Sequence, residues 1–226
     1  MSLATVRRAR ILPAEGQTQR GMERHVPRVI RIFRFRLAEP HFDNELRRVL
    51  LPDLLTRDGV LDVYGGRRDR PNPDERIVAS VWRDRDSMEA VLAESIEGSP
   101  FHPELLDLST DRDLRICELE FGDRDESMGT PAVLRLVEGT VRPGELGAYI
   151  EEARIGTIAD RDAGRGPLAL YLSCSAHDSF MTLSIWPDWA TLQDATGGNL
   201  DRPIATRHAE RLVDWTASHY EVMGPD

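Results

Sequence analysis

The chain has no lysine: all 29 of its basic residues are arginines, set against 39 acidic residues in 226, for a net charge of −10. Without lysine there is no Schiff base, no amine nucleophile and no phosphate-gripping P-loop lysine. The acidic balance argues against nucleic-acid binding, which needs a basic footprint. Cysteine is scarce, with only Cys117 and Cys174. Two thiols in strand-like runs suggest neither a disulfide framework nor a cysteine-rich metal site, so buried thiols in a reducing cytoplasm are expected. No apolar run reaches the 18 or more residues of a membrane span, and no apolar stretch follows Arg7, Arg8 and Arg10 as a secretory signal requires. Nucleophile elbow, phosphate loop and dinucleotide fingerprint are also missing.

What is present is a phrase used twice. `VASVWRDRDSMEAV` at 78–91 and `TLSIWPDWATLQDA` at 182–195 lie 104 residues apart. In both, Ser precedes Trp by two residues, Asp follows Trp by two, and a helix-like run comes after. At the same offset `VIRIF` at 29–33 lies over `VLRLV` at 133–137; slightly shifted, `HPELL` at 102–106 lies over `HAERL` at 208–212. Self-similarity at a fixed offset signals duplication. It divides the chain into an N-terminal arm at 1–27, a first repeat at 28–122, a linker at 123–130 and a second, divergent repeat at 131–226.

Each repeat reads as β-α-β-β-α-β. In the first, strands are expected at about 28–37, 59–68, 75–83 and 113–121, and helices at about 41–56 and 86–97, with a short helical turn near 101–107. Phe42, Leu46, Val49 and Leu50 supply the first helix with an apolar stripe, which Pro52 bends or restarts. Asp86 and Glu89 resemble a capping box. In the second, strands are expected at about 132–141, 167–175, 179–186 and 215–223, and helices at about 144–159, 188–196 and 202–213. The element order is the ferredoxin-like α+β plan, an antiparallel sheet with its helices on one face. One such sheet leaves its other face bare. Two repeats in one chain solve this by packing together as an intramolecular pseudo-dimer.

The stretches `LLPDLLTRDGVLDVYGGRR` at 50–68, `IVASVWRDRDSMEAVL` at 77–92 and `FHPELL` at 101–106 resemble the antibiotic biosynthesis monooxygenase-type dimeric α/β barrels. The resemblance covers most of 28–122 and, more faintly, 131–223. It implies a barrel of two ferredoxin-like units. It is poorly specific for activity, because that superfamily holds cofactor-independent monooxygenases, haem-degrading enzymes and isomerases. Haem-degrading members pair a His with a second Trp on the preceding helix and an Asn on the first strand. Val91 and Phe33 stand there in this chain, and Ala195 and Val137 in the second repeat, so no cofactor is expected.

Strand alternation suggests what lines the barrel. On the third strand of each repeat, the set with Ser80 and Trp82, or Ser184 and Trp186, is expected to face the space between the sheets. The wholly apolar set (Ile77, Ala79, Val81; Met181, Leu183, Ile185) is expected to face the helices. On the first strand, Phe33, Phe35 and Leu37 mark the helix side. That turns Ile30, Ile32, Arg34 and Arg36 inward, opposite Leu134, Leu136, Glu138 and Thr140. Arg34, Arg36 and Glu138 would then form either a polar pocket or an internal ion pair holding the halves in register. Trp82 and Trp186 could stack on a flat ligand or pack barrel corners. Tyr64 and Tyr171 could donate hydrogen bonds to a ligand or simply pack. His102 is the candidate general base, with His208 its counterpart.

Three functions are compatible with these residues. The first is a monooxygenase-like enzyme acting on a polycyclic or aromatic small molecule, with His102 as catalytic base. Its binding residues would be Trp82, Ser80, Arg34, Arg36, Tyr64, Trp186 and Glu138. The second is a non-catalytic module for a small ligand or haem, and the third a structural protein with a filled barrel. The expected partner is a small organic ligand, with no nucleic acid, no membrane and further homodimerisation open.

Overall fold

A computed structural model describes residues 27–37, 42–68, 72–93, 109–125, 129–175, 178–204 and 210–224. The first half runs β1 (Val29–Leu37), α1 (Phe42–Glu45), a π-helical turn (Leu46–Leu50), α2 (Leu51–Leu55), β2 (Val60–Arg68), β3 (Glu75–Trp82), α3 (Arg85–Ala93) and β4 (Ser109–Arg124). The second half runs β5 (Val133–Val141), α4 (Leu146–Asp162), β6 (Ala169–Cys174), β7 (Ser179–Trp186), α5 (Trp189–Ala195) and β8 (Leu212–Val222). The class is α+β, as the alternation of elements implies, and the eight strands close into one antiparallel barrel in the order β1-β3-β2-β8-β5-β7-β6-β4. The halves are therefore joined by backbone ladders. Gly66–Arg68 of β2 pair with β8, and Leu119–Arg124 of β4 pair with β6. A closed barrel has no free sheet edge.

Over β1, β3, β5 and β7 both faces of this barrel are largely buried, whereas the outer faces of β4 and β8 are largely exposed. Inside it Ile30, Ile32, Ile77, Ala79, Val81, Leu134, Leu136, Met181, Leu183 and Ile185 form one cluster with Tyr64, Tyr171 and Tyr220. Outside it Val29, Phe33, Phe35, Val78 and Trp82 pack with the helix residues Leu46, Leu51, Leu54 and Met88. The second half repeats this with Val137, Leu172 and Phe180 against Tyr149 of α4, and Trp186 and Val133 against Leu192 of α5. The inward and outward sets of β1 and β5 are as expected. Those of β3 and β7 are reversed: Ser80, Trp82, Ser184 and Trp186 face the helices, while the aliphatic set fills the barrel. A strand buried on both faces offers no clean polar–apolar alternation, so serine is a poor marker of the interior.

The repeated phrase has a local explanation. The indole N–H of Trp82 donates to Ser80 Oγ at 2.9 Å, and that of Trp186 donates to Ser184 Oγ at 3.0 Å. Residues two apart share a strand face, so each buried Trp finds its hydrogen-bond partner on its own strand. The Asp two residues beyond is the helix cap. Asp84 Oδ1 accepts from Ser87 N, and Asp188 Oδ1 from Thr191 N, both at 2.7 Å. The cap of α3 is thus Asp84, not the Asp86–Glu89 box, because the helix begins at Arg85.

Two further expectations change. Pro52 restarts the first helix, as expected, but the π-helical turn before it carries an extra residue that shifts the apolar stripe, leaving Val49 55% exposed and burying Leu51 and Leu54. The helical stretch expected at 202–213 is not continuous. Arg202–Ile204 are turn and coil, and Leu212 and Val213 already belong to β8.

Candidate functional site

Across the outer face of the second half, His219 of β8, Arg135 of β5 and Ser184 of β7 lie side by side in register. Arg135 is only 2% exposed. Its Nε–H donates to His219 Nε2 at 3.2 Å, and its Nη2 donates to the carbonyls of Leu200 at 3.0 Å and Arg202 at 2.5 Å. Those carbonyls belong to the segment after α5, so one buried guanidinium fastens that segment to the sheet. Burial lowers the Arg135 pKa to about 10, which leaves it protonated at neutral pH. Burial, with Arg135 second, pushes the His219 pKa down to about 4, so the imidazole is neutral and can accept.

Above this row the α4 helix does not close fully onto the strands. A cavity of about 180 Å³ remains, walled by Trp186, Val137, Leu170 and Tyr149, with Thr182, Ser184 and Arg135 as its polar groups. Ala153, Gly156 and Thr157 of α4 form its roof, and the 56%-exposed Ile155 stands at its edge. Tyr149 contacts Phe180 with ring centroids 4.8 Å apart and is hydrogen-bonded to the Thr182 side chain. Burial raises its pKa well above the ordinary phenol value, so it is a neutral hydrogen-bonding group and not a base. Glu152 and Asp160 also border the cavity, and Glu152 is engaged by Arg211 at 2.9 Å.

Of the residues singled out from the sequence as ligand-binding, Trp186 lines this cavity, together with Ser184 two residues before it. Trp82 and Ser80 occupy the matching place under the helices of the first half. Arg34 and Glu138 turn into the barrel and meet there, Nη1 to Oε2 at 2.8 Å, with Asp113 and Arg115 completing the cluster. Burial opposes the Arg34 charge, but Asp113 and Glu138 outweigh it and raise its pKa. Arg36 sits at the rim, 3.3 Å from Asp111. Tyr64 and Tyr171 occupy equivalent barrel positions opposite Ala79 and Leu183, and their hydroxyls meet at 3.1 Å. Tyr171 donates to Asp62 at 2.7 Å, and Asp62 also pairs with Arg124. Burial raises both phenols, Tyr64 to about 12. His102 and His208 lie outside the described residues.

Sequence reading missed Arg135 and Tyr149. A signal for Arg135 was there: `VIRIF` and `VLRLV` each place an arginine, Arg31 and Arg135, on the helix-facing side of an apolar strand. Arg31 is likewise 1% exposed, over the Phe33 ring at 5.6 Å.

No family model matches the sequence, and no curated protein does. Solved structures do. A protein of Fusobacterium nucleatum titled "putative monooxygenase" superposes with a TM-score of 0.69 at 10% identity, over 88% of this chain and 94% of that one. A second protein so titled, from Lactobacillus acidophilus, gives 0.65 at 10% identity over 87% and 94%. One titled "Putative Chlorite dismutase" gives 0.57 at 13% identity over 87% and 95%. A Listeria monocytogenes ferredoxin-fold protein related to antibiotic biosynthesis monooxygenases gives 0.50 at 10% identity over 89% and 96%. The chain has the fold that its sequence resemblance implied. Among the described residues no helix is long and apolar enough to cross a membrane, and no group of three or more His, Cys, Asp or Glu could hold a metal ion.

Proposed function

We propose that this chain is a monooxygenase-like protein that holds a small ring compound in the α4 cavity of its second half and exposes it to dioxygen without a bound cofactor. The observation carrying this reading is the cavity itself, because the barrel, where a ligand was first expected, is filled by its own aliphatic side chains. A dry cavity of about 150 Å³ is enough for a benzene ring. Here Trp186, Val137 and Leu170 supply apolar lining, and the Arg135 guanidinium is a polar group able to orient the ring.

The chemistry balances with dioxygen as the oxidant. A phenol ring loses two hydrogens and gains one oxygen atom to become a quinone, and the second oxygen atom leaves as water. No external reductant is consumed. The chain would bind and orient the ring, exclude water and favour its ionised form. A haem fits poorly. The volume falls below the roughly 300 Å³ at which pockets for larger ligands begin. The described lining offers no His, Cys or Met to the iron, and its one phenol, Tyr149, is kept protonated by burial.

The test pairs thermal-shift screening of one-ring phenols with an oxygen electrode. Binding with oxygen uptake and a quinone absorbance is the expected result. Binding without uptake would favour the second reading, a non-catalytic carrier. No binding of any ring compound would overturn both.

A further inference from the structure

We propose that the cavity takes its ring compound as an oxyanion, a carboxylate or phenolate, with Nη1 of Arg135 as the partner of the charged oxygen. The inference rests on the reading of the α4 cavity as the ligand site and names the class of ligand that site selects.

Arg135 is only partly satisfied by the protein. Of its three nitrogens, Nε and Nη2 are taken up by His219 and by the carbonyls of Leu200 and Arg202, all neutral acceptors. Nη1 has no acceptor among the described residues, yet it is not one of the fully enclosed polar atoms left without a partner, and Arg135 lines the cavity. Its two N–H groups are therefore available to whatever the cavity holds. No described carboxylate makes an ion pair with this guanidinium. A charge this deeply buried is normally compensated by an opposite one.

The neighbouring charges do not supply it. Asp201 attracts Arg135 through space without an ion pair. Glu152 is held by Arg211, and Asp160 lies 3.9 Å from Arg165. Tyr149 is neutral, and so is His219 above about pH 4. Arg135 thus contributes a fixed positive charge to the cavity, while the hydroxyls of Ser184 and Thr182 are already engaged by the Arg135 carbonyl and by Tyr149. Trp186, Val137 and Leu170 line the same cavity with apolar surface. A one-ring molecule with a single anionic oxygen matches both the charge and the apolar lining.

Placement supports this as well. His219 and the two carbonyls fix Nε and Nη2, so the guanidinium plane is set before any ligand arrives. A preorganised charge costs no reorganisation on binding. It would also lower the pKa of a bound phenol, since an adjacent cation favours the charged form.

Calorimetric titration of the full chain at pH 8 with benzoate, 4-nitrophenol and their neutral analogues benzamide and benzyl alcohol tests the inference. Benzoate is expected to bind about tenfold more tightly than benzamide, as a charge-assisted hydrogen bond provides. In a separate absorbance titration at about pH 6, where free 4-nitrophenol is mainly protonated, the bound dye is expected to show phenolate absorbance. Binding of only one of the two anions also supports an oxyanion site and identifies its source. Equal binding of benzoate and benzamide, with the dye bound in its neutral form, would overturn the charge inference and leave the cavity reading intact. Failure of all four probes would remove the cavity reading itself. Arg135→Met should abolish the preference for benzoate while benzamide binding persists, and Arg135→Lys should keep part of it. If Arg135→Met does not fold, the dye spectrum of the unaltered protein decides.

Discussion

Trp186→Ala should destabilise the protein by about 3–5 kcal/mol, as removal of a fully buried large aromatic does. Trp186 is 1% exposed, packed against Val133 and Leu192 with Trp189, Leu200 and Ile204 around it. Its loss opens a void between β7 and α5 and leaves Ser184 Oγ without the indole N–H. Against a typical total of 5–15 kcal/mol, that is a large share of the stability. Trp186→Phe separates the two effects: most of the packing stays, and the lost hydrogen bond costs about 1 kcal/mol. Trp215→Ala is a control, because Trp215 is 37% exposed. Urea denaturation checks the series. If Trp186→Ala costs no more than Trp215→Ala, Trp186 is not part of the core.

The second large effect concerns the contact between the halves. Arg34 and Glu138 hold the same place in each half, 104 residues apart, and face each other inside the barrel. In a barrel of two identical units, two arginines or two glutamates would meet there and repel. The divergence of one position makes an attraction of it. Arg34→Glu puts a third carboxylate beside Asp113 and Glu138, and should cost about 3–5 kcal/mol, as a broken pair with side chains this buried does. Adding Glu138→Arg restores an opposite-charge pair across the barrel. The double variant should therefore exceed Arg34→Glu alone by about 1 kcal/mol or more. Strictly additive losses would show that the pair does not couple the halves.

These two cases mark what could be read in the sequence. The element order, the helix-facing phenylalanines of β1 and the inward turn of Arg34 and Glu138 follow from period-2 alternation and the 104-residue offset. The facing of β3 and β7 did not, because both sides of those strands are apolar. Ser80 and Ser184 each accept from an indole on their own strand, on the helix-facing side and not inside the barrel. The cavity was not legible for a different reason. It arises from how far α4 stands off the sheet, a distance set by packing along the whole helix and not by any local motif. Arg135 alone left a trace, as the arginine within an apolar strand that Arg31 repeats.

Gly156→Leu separates a ligand held under α4 from one held in the barrel. Gly156 forms part of the cavity roof, and a Cβ added there meets no atom within 4 Å. Leucine would therefore extend into empty space, and in mid-helix it is better tolerated than glycine by about 0.5–1 kcal/mol. The variant should keep or raise its Tm while its affinity for the ring compound that binds the unaltered protein falls at least tenfold. A Gly156→Leu protein that is equally stable and binds that compound unchanged would place the ligand elsewhere and contradict the account.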